Sequence, residues 1–241
     1  KYPVLLPNIF DYPFTYKSNL NLKVGEYVKV SFGKSKITGV VWDNFEKNNN
    51  KSFKIKEIDK RLNIKPLKKE TIKFLNWFSE YNLVPKGMSL KLHLLSGEAI
   101  ENFDDKEYNF FLKRNASKEF KLSKDQNKIL NELKNKDNKF RVHLLQGTTG
   151  SGKTIVYFKH IFDILEKNKQ ALILLPEIGL TAEFERKFKE FFGFNPSVWH
   201  SGISLKRKKV IWSGLSSGKI KVVIGARSSL FLPFKLSLIH I

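Results

Sequence analysis

The sequence predicts an α/β protein in two parts, a small β-rich domain followed by a lobe in which parallel strands alternate with helices. Two observations favour this fold class. Apolar and polar residues alternate from Tyr27 to Phe32 before a turn at Gly33, which is typical of a hairpin in a half-buried sheet. From Ser123 onward, helical runs alternate with short extended runs, as in β-α-β units whose strands are parallel.

The β-rich part is predicted to span residues 1–98 and to contain short strands, turns and one helix. A second extended run, Ile37–Trp42, completes the hairpin after the turn. Pro66 then opens a helix whose apolar residues recur three and four positions apart. Pro85 and Gly87 are expected to close this helix, because neither residue favours a helix interior.

The second part of the chain follows a less regular stretch. Residues 99–121 have weak periodicity and mixed charge, and are interpreted as a linker. Residues 122–241 form the predicted α/β lobe, in which apolar residues at helical spacing separate the strands. These strands are expected near residues 140–145, 171–175, 197–199, 221–225 and 236–241.

The charge balance favours a polyanionic partner. The chain of 241 residues has 44 lysines and arginines against 23 aspartates and glutamates, a formal net charge of +21. Nucleic acid is the usual partner of so basic a protein, although a lysine-rich solvated surface would give the same composition. No apolar run approaches the ~20 residues of a membrane-spanning helix. The absence of cysteine excludes disulfides and thiolate metal sites within the chain and agrees with a cytoplasmic location.

The strongest functional signal is a phosphate-binding loop that fits the pattern G-x-x-x-x-G-K-[ST]. In this pattern the glycines let backbone N–H groups turn toward a phosphate, the lysine contacts the terminal phosphates, and the last hydroxyl ligates magnesium. The loop lies before a predicted helix, whose N-terminus favours anions. It therefore predicts nucleotide binding by Gly147, Thr148, Thr149, Gly150, Ser151, Gly152, Lys153 and Thr154.

Further motifs lie on both sides of this loop. The lobe contains Leu174–Thr181, His200–Gly202 and Ile224–Phe231, and the β-rich part contains Leu6–Tyr12 and Val24–Lys34. In this order and spacing, the motifs resemble those of the primosomal protein N′ (PriA) family, the bacterial replication-restart DNA helicases of superfamily two. The resemblance runs with gaps from about residue 2 to residue 241.

The resemblance implies a fold and a function. Residues 122–241 would form the first RecA-like helicase lobe, truncated, and residues 1–98 a domain that binds DNA 3′ ends. The whole protein would be an ATP-dependent 3′→5′ DNA helicase that recognises stalled or abandoned replication forks and restarts replication by primosome assembly. Its implied partners are forked DNA, single-stranded DNA 3′ ends, single-stranded-DNA-binding protein and replicative-helicase loading proteins. Residues 99–121 are too few for the winged-helix domain that family members often carry, which implies a reduced or absent one.

The resemblance also implies which residues bind DNA. An aromatic ring would stack on the terminal base, a carboxylate would accept from a base edge or the terminal hydroxyl, and a glycine turn with a lysine would hold the last phosphodiester. From the residues alone, a buried aromatic pair around a turn-forming aspartate fits the first three positions as well, and this alternative stays open. The implied DNA-binding residues are Phe10, Asp11, Tyr12, Gly33, Lys34, Lys56, Arg227 and Ser228.

In the lobe, the resemblance implies that Lys153 and Thr154 make the catalytic contacts to the phosphates and magnesium of ATP. It also implies that Gln126 reads the adenine edge, since an amide pairs a donor with an acceptor. From the residues, Ser123 and Gln126 fit a helix capping box equally well, and both alternatives stay open. The chain has Ala226 where the family commonly has threonine, which removes one hydroxyl donor to DNA.

Other functional parts of the family are expected outside this chain. In the family, the strand that matches Leu236–Ile241 runs into Asp-Glu-Glu-His, whose carboxylates hold magnesium and position the attacking water. The second motor lobe and the cysteines that bind zinc would also lie beyond. The chain alone is therefore expected to bind DNA, and ATP weakly, but not to unwind. The alternative is a non-enzymatic DNA 3′-end-binding module whose nucleotide-binding lobe is structural.

Overall fold

The computed structural model describes residues 1–43, 55–95, 121–134, 141–176, 181–235 and 238–240. These residues fall into two compact units. The first draws on Lys1–Asp105, Ser204–Ser217 and Leu230–Lys235, and the second on Lys106–Ile203, Gly218–Ser229 and Leu236–Ile241. The interpreted linker, residues 99–121, lies outside the described residues except for Lys121.

The first unit is built on a five-stranded antiparallel sheet in the order β2-β1-β4-β3-β5. Its strands are β1 (Tyr2–Leu5), β2 (Phe14–Tyr16), β3 (Tyr27–Phe32), β4 (Ser35–Val41) and β5 (Ile58–Arg61). The predicted hairpin is confirmed, since β3 and β4 pair from Tyr27 opposite Val40 to Phe32 opposite Ser35. Gly33 has a φ of 60°, the left-handed value that favours glycine at the first position of a two-residue turn.

One face of this sheet carries an apolar core to which all five strands contribute. Val28 and Val30 of β3 face this core, whereas Tyr27, one residue away, packs on the opposite face, as the period of two requires. Full burial of one such side chain stabilises the fold by about 1.5–3 kcal/mol. The buried members are Val4, Leu6, Tyr16, Leu22, Val28, Val30, Val41 and Ile58.

Two helices follow the sheet, where the sequence analysis predicted one. The first, α1 (Lys69–Asn82), confirms the helix after Pro66. The expectation that Pro85 and Gly87 only close it was wrong, because Pro85 directly precedes a second helix, α2 (Lys86–Leu94), and Gly87 lies within it. Proline is tolerated there because the first helical turn has unpaired N–H groups in any case. Gly87 is buried in α2, where its lack of a side chain permits close packing against the backbone of Leu6 and Asn8.

Two later segments of the chain complete the first unit. They are α6 (Leu205–Ser217) and residues 230–235. The ring of Phe231 packs against Phe74 and Phe78 of α1, with centroids 5.3 and 4.8 Å apart. The Lys235 ammonium donates to the Ser217 carbonyl oxygen at 2.8 Å, which ties the second segment to the end of α6.

The second unit contains a four-stranded parallel sheet in the order β7-β8-β6-β9. Its strands are β6 (Gln170–Leu174), β7 (Ser197–Trp199), β8 (Val222–Gly225) and β9 (Leu238–His240). Its helices are α3 (Lys124–Leu133), α4 (Lys153–Glu166) and α5 (Thr181–Phe192). The predicted alternation of parallel strands and helices is confirmed, with phenylalanines of α4 and α5 packed on apolar strand residues.

One strand expected in this sheet is absent from the described part of the chain. Residue 140 is not described, and residues 141–145 form no strand. Val142 and Leu144 are 83% and 91% exposed, so the apolar run is not buried in the sheet. The prediction was wrong because an extended run becomes a strand only where a neighbouring strand completes its hydrogen bonds. Among the described helices, none is long and apolar enough to cross a membrane.

Candidate DNA-end and nucleotide sites

The β3–β4 turn of the first unit forms an open, basic corner. No atom lies within 4 Å of the position that a Cβ would take on Gly33, so its backbone is open to approach. Lys34 is exposed beside it, and the Lys56 ammonium lies 3.5 Å from the Gly33 carbonyl oxygen. Two ammonium groups and an accessible backbone at one turn suit a phosphodiester oxygen.

An aromatic cluster adjoins this corner. Phe10 packs against Phe32, the last residue before the turn, with ring centroids 6.3 Å apart, and against Tyr12 at 5.6 Å. Phe14 contacts the same rings, at 5.3 Å from Phe10 and 5.1 Å from Phe32. Tyr12 is 42% exposed, so one ring at the edge of the cluster presents a face on which a base could stack.

Asp11 lies on the N-terminus of α2. Its Oδ1 accepts from the Lys86 N–H at 2.9 Å, and the Phe10 carbonyl oxygen accepts from the Gly87 N–H at 3.1 Å. These are two of the N–H groups that a helix leaves unpaired, and the α2 cap residue supplies no side-chain bond of its own. Asp11 therefore serves as the cap of α2 from 75 residues away, next to the positive end of the helix dipole.

Gly87 is required where the chain leaves β1. A Cβ on this residue would lie 2.6 Å from the Leu6 carbonyl oxygen and would also collide with the carbonyl oxygen of Asn8. Because backbone atoms cannot rotate away as a side chain can, only glycine lets α2 approach this closely. The close approach places the segment that carries Phe10, Asp11 and Tyr12 on the helix N-terminus.

A cavity of about 350 Å³ lies beside Asp11. Its wall is otherwise formed by the end of α1, the start of α2 and their connection: Ser79, Glu80, Leu83, Val84, Pro85 and Lys86. The Ser79 hydroxyl donates to the Val84 carbonyl oxygen and Leu83 adopts a left-handed φ of 54°, which fix the connection. The alternative of a buried aromatic pair around a turn-forming aspartate does not describe this segment, since Tyr12 is exposed and Asp11 caps α2. The Asp11 carboxylate also lines the cavity, and its contact with DNA stays a prediction.

The phosphate-binding loop of the second unit ends at the N-terminus of α4. Gly150 and Gly152 have φ of 83° and 80°, which permits the tight turn into the helix. A Cβ on Gly147 would lie 2.8 Å from the Ser151 Oγ, so a side chain there would require the serine hydroxyl to move. These features fit the phosphates of a nucleotide, which would be held by backbone N–H groups at a helix N-terminus.

Lys153 and Thr154 are the first two residues of α4. The Lys153 ammonium donates to the carbonyl oxygens of Gly147 and Thr148 at 2.5 and 2.7 Å, so its charge lies inside the loop. The Thr154 Oγ1 accepts from the Tyr157 hydroxyl at 3.1 Å. The residues that would hold the phosphates and magnesium are therefore adjacent. Among the described residues, no group of three or more acidic or histidine side chains could hold a metal by itself.

Gln126 forms the capping box of α3. Its backbone N–H donates to the Ser123 Oγ at 3.2 Å, and its Oε1 accepts from the Ser123 N–H at 2.9 Å. Its Nε2 also donates to the Ser151 carbonyl oxygen, in the phosphate-binding loop, at 3.3 Å. The capping alternative is confirmed, while the contact with adenine stays a prediction.

The remaining predicted residues lie at loop positions of the second unit. Arg227 and Ser228 are exposed at the start of a 3₁₀ turn, Arg227–Phe231, directly after β8. Their contact with DNA stays a prediction. The His200 Nδ1 accepts from the Gly202 N–H at 3.1 Å, so this histidine fixes its own loop. The segment 177–180 lies outside the described residues.

Comparison with known proteins identifies the family. A model described as the 3′ DNA-binding domain (3′BD) matches residues 3–94, and one described as type III restriction enzyme, res subunit, matches residues 119–238. A Rickettsia conorii protein named replication restart protein PriA is 38% identical over 237 residues, 96% of this chain. The chain belongs to the PriA family.

Other PriA proteins match over shorter stretches. The Helicobacter pylori protein is 45% identical over 114 residues, or 47% of this chain and 18% of its own length. The Bacillus subtilis protein is 43% identical over 95 residues, or 39% of this chain and 12% of its own length. The chain spans about a third of the Rickettsia conorii relative, 35% of its length.

The structure adds two residues to the candidate DNA-end site that sequence reasoning missed. Lys86 and Gly87 of α2 hold Asp11 and the backbone beside it, but the sequence analysis assigned them to the end of a helix. A signal was present, since Gly87, Leu90 and Leu94 recur at helical spacing after Pro85 and are all buried.

Proposed function

We propose that this chain binds a DNA 3′ end in its first unit and ATP with magnesium in its second. In the whole protein these sites would serve an ATP-dependent 3′→5′ helicase that restarts replication at stalled or abandoned forks. Single-stranded-DNA-binding protein and replicative-helicase loading proteins would be partners of that whole protein. The same proposal assigns residues 1–98 to the DNA-end domain and residues 122–241 to the first helicase lobe.

The observation that carries the proposal is the grouping of Asp11, an exposed Tyr12 ring and the Gly33 corner in one unit. A ring can stack on the last base, and ammonium groups can hold the last phosphodiester. The Asp11 carboxylate accepts hydrogen bonds only, so it favours a terminal hydroxyl, which can donate, and repels a terminal phosphate. The site therefore has the chemistry to distinguish a 3′-hydroxyl from a 3′-phosphate.

The nucleotide half of the proposal rests on the loop before α4. Its glycine backbone and Lys153 would hold the phosphates of ATP, and the Thr154 hydroxyl would ligate the magnesium that accompanies them. Bound magnesium would neutralise charge on the terminal phosphates. Gln126 already joins the loop to the start of α3, so it would orient the loop in addition to any contact with adenine.

The decisive experiment compares forked DNA ending in a 3′-hydroxyl with the same fork ending in a 3′-phosphate, at one stated salt concentration. Salt is fixed because a chain of charge +21 binds any DNA more tightly at low salt. We expect the hydroxyl fork to bind more tightly by roughly ten- to a hundredfold, the value of one hydrogen bond to a charged group. Equal affinities would show that charge alone drives binding.

Asp11→Asn is the matched variant, because its amide oxygen can still accept from the Lys86 N–H while the charge is removed. We expect it to lose most of the discrimination between the two forks without loss of the α2 cap. Lys23 is an exposed cation in the same unit, so Lys23→Ala serves as the control. It should weaken the binding of both forks equally. Unchanged discrimination in Asp11→Asn would contradict the assignment of the carboxylate.

A reciprocal pair of variants separates the two sites. Lys153→Ala is expected to abolish nucleotide binding, measured with a fluorescent ATP analogue, and to leave the preference for a 3′-hydroxyl intact. Asp11→Ala is expected to remove the preference for a 3′-hydroxyl and to leave nucleotide binding intact. If Lys153→Ala also removed the end preference, the two activities would not reside in separate sites.

A further inference from the structure

His93, on the last turn of α2, is a buried hydrogen-bond centre that the proposed function does not use. It is 1% exposed. Its Nε2 lies 2.8 Å from the Tyr27 hydroxyl of β3, and its Nδ1 lies 2.7 Å from the Phe231 carbonyl oxygen. The His93 carbonyl oxygen accepts from the Trp212 indole N–H of α6 at 2.8 Å. One residue thus joins four segments of the first unit.

The neighbours of the imidazole fix its tautomer. A carbonyl oxygen can only accept, so the Nδ1 beside Phe231 must carry the proton. The Nε2 is then an acceptor, and the Tyr27 hydroxyl donates to it. Burial lowers the pKa of His93 to about 4, against a smaller opposing effect of the Phe231 carbonyl, and raises the pKa of Tyr27. The network is therefore neutral and fully paired at pH 7.

The joined segments come from both regions that the family models match. Tyr27 and His93 lie in the region described as the 3′ DNA-binding domain, whereas Trp212 and Phe231 lie in the region that matches the restriction-enzyme subunit. All four residues nevertheless belong to the first compact unit. The DNA-end domain and these two segments of the helicase-like region therefore share one buried polar network.

Helix α2 connects this network to the DNA-end site. Its N-terminus holds Asp11 and the Phe10 carbonyl through the N–H groups of Lys86 and Gly87. Its last turn carries His93. A helix of nine residues is about 13.5 Å long at 1.5 Å per residue, and its turns are joined by continuous backbone hydrogen bonds. A displacement of its N-terminus is therefore transmitted to its other end.

We propose that α2 is a coupling element, and that His93 is the positioning residue through which occupation of the DNA-end site acts on residues 229–235. This inference rests on the proposed function, because it needs a 3′ end bound at Asp11. Residues 229–231 are the last residues of the 3₁₀ turn Arg227–Phe231. The first residues of this turn, Arg227 and Ser228, are the predicted DNA contacts of the helicase-like region. The hydrogen bond between the His93 Nδ1 and the Phe231 carbonyl oxygen transmits the displacement of α2 to residues 229–235.

Two substitutions at His93 separate the two imidazole bonds. Asparagine places its amide nitrogen close to the position of the imidazole Nδ1, so His93→Asn retains the bond to Phe231 and loses the bond to Tyr27. Glutamine reaches the position of Nε2, so His93→Gln retains the bond to Tyr27 and loses the bond to Phe231. Both variants lose a similar amount of ring packing, which makes each the control of the other.

The measurement is amide hydrogen exchange with a trinucleotide ending in a 3′-hydroxyl, and the same trinucleotide with a 3′-phosphate as control. In the unsubstituted chain we expect the hydroxyl form to slow exchange in residues 79–87, at the site, and about fivefold in residues 229–235, the lower end of typical coupling. We expect His93→Asn to behave likewise, and His93→Gln to keep protection of 79–87 alone.

The outcomes distinguish the inference from the function on which it rests. Protection of residues 79–87 without protection of 229–235 in the unsubstituted chain would overturn the coupling and leave the DNA-end site intact. Protection of both segments in His93→Gln would overturn the role of His93. If residues 79–87 were not protected in any chain, the proposed function would fail and the coupling with it.

A second variant keeps the test decisive if His93→Gln loses its native circular dichroism. Trp212→Phe removes the indole N–H that donates to the His93 carbonyl oxygen, together with part of the ring, and leaves an aromatic side chain in place. In the unsubstituted chain we expect bound trinucleotide to slow exchange in α6 as well, in residues 208–216, because Trp212 is bonded to His93. Trp212→Phe should lose this protection of α6 while residues 229–235 remain protected. Transmission to α6 that survives this substitution would count against the network as the path.

Discussion

Acidification should destabilise the first unit through His93. Its folded pKa of about 4 lies below the unfolded value of 6.5, because burial disfavours the imidazolium. The unfolded chain therefore takes up a proton first as the pH falls. The stability that this residue contributes is complete above pH 6.5 and is lost as the pH falls toward about 4.

The size of the effect follows from the two pKa values. Their difference is 6.5 − 4 = 2.5, and each unit corresponds to ~1.36 kcal/mol, so about 3 kcal/mol of unfolding free energy should be lost between pH 7 and pH 4. This is a large fraction of the ~5–15 kcal/mol that stabilises a typical domain.

The assay is urea unfolding followed by tryptophan fluorescence at pH 7, 6, 5 and 4. In a Trp199→Phe background the remaining tryptophans, Trp42, Trp77 and Trp212, all lie in the first unit and report on it alone. This background also excludes His160 of the second unit, whose pKa burial lowers as well. His93→Gln is the reference chain, since glutamine does not titrate.

We expect the unfolding free energies of the two chains to converge as the pH falls. His93→Gln should be less stable at pH 7, because Phe231 loses its partner, and the difference should shrink by about 3 kcal/mol as the pH reaches 4. Parallel stability curves between pH 7 and pH 4 would refute the claim that His93 is held neutral in the fold.

Three further predictions concern other positions. Gly87→Ala should lower the unfolding free energy of the first unit by about 1–3 kcal/mol in urea titrations, because the new Cβ meets the Leu6 carbonyl oxygen at 2.6 Å. Tyr27→Phe should flatten the loss of stability above pH 10, since burial raises the pKa of Tyr27 and the unfolded phenol ionises first. Gln126→Ala should cost about 1 kcal/mol through the capping box, and should reduce the ratio of ATP to GTP affinity only if its amide also reads adenine.

Local pattern was sufficient to predict much of the fold. The hairpin at Gly33, the strands β6 to β8 and the helix after the phosphate-binding loop were all predicted, because their periodicity and turn residues lie within a few positions of one another. The capping box of Gln126 was predicted as an alternative for the same reason.

The features that were not predicted depend on distant partners. Residues 141–145 have the composition of a strand but pair with no described strand. The start of α2 is fixed by Asp11, 75 residues earlier, and the histidine at its other end by Phe231, 138 residues later. A pattern read over a few neighbouring residues cannot include both residues of such a pair, so these contacts could not be predicted from it.

The sharing of one core by distant segments has a consequence for synthesis. The ribosome completes Phe231 138 residues after His93, which at ~5–20 residues per second takes roughly 7–28 s. During that time the newly made DNA-end domain has His93 and Tyr27 without the segments that bury them. Completion of the polar network around His93 therefore waits for the chain that follows.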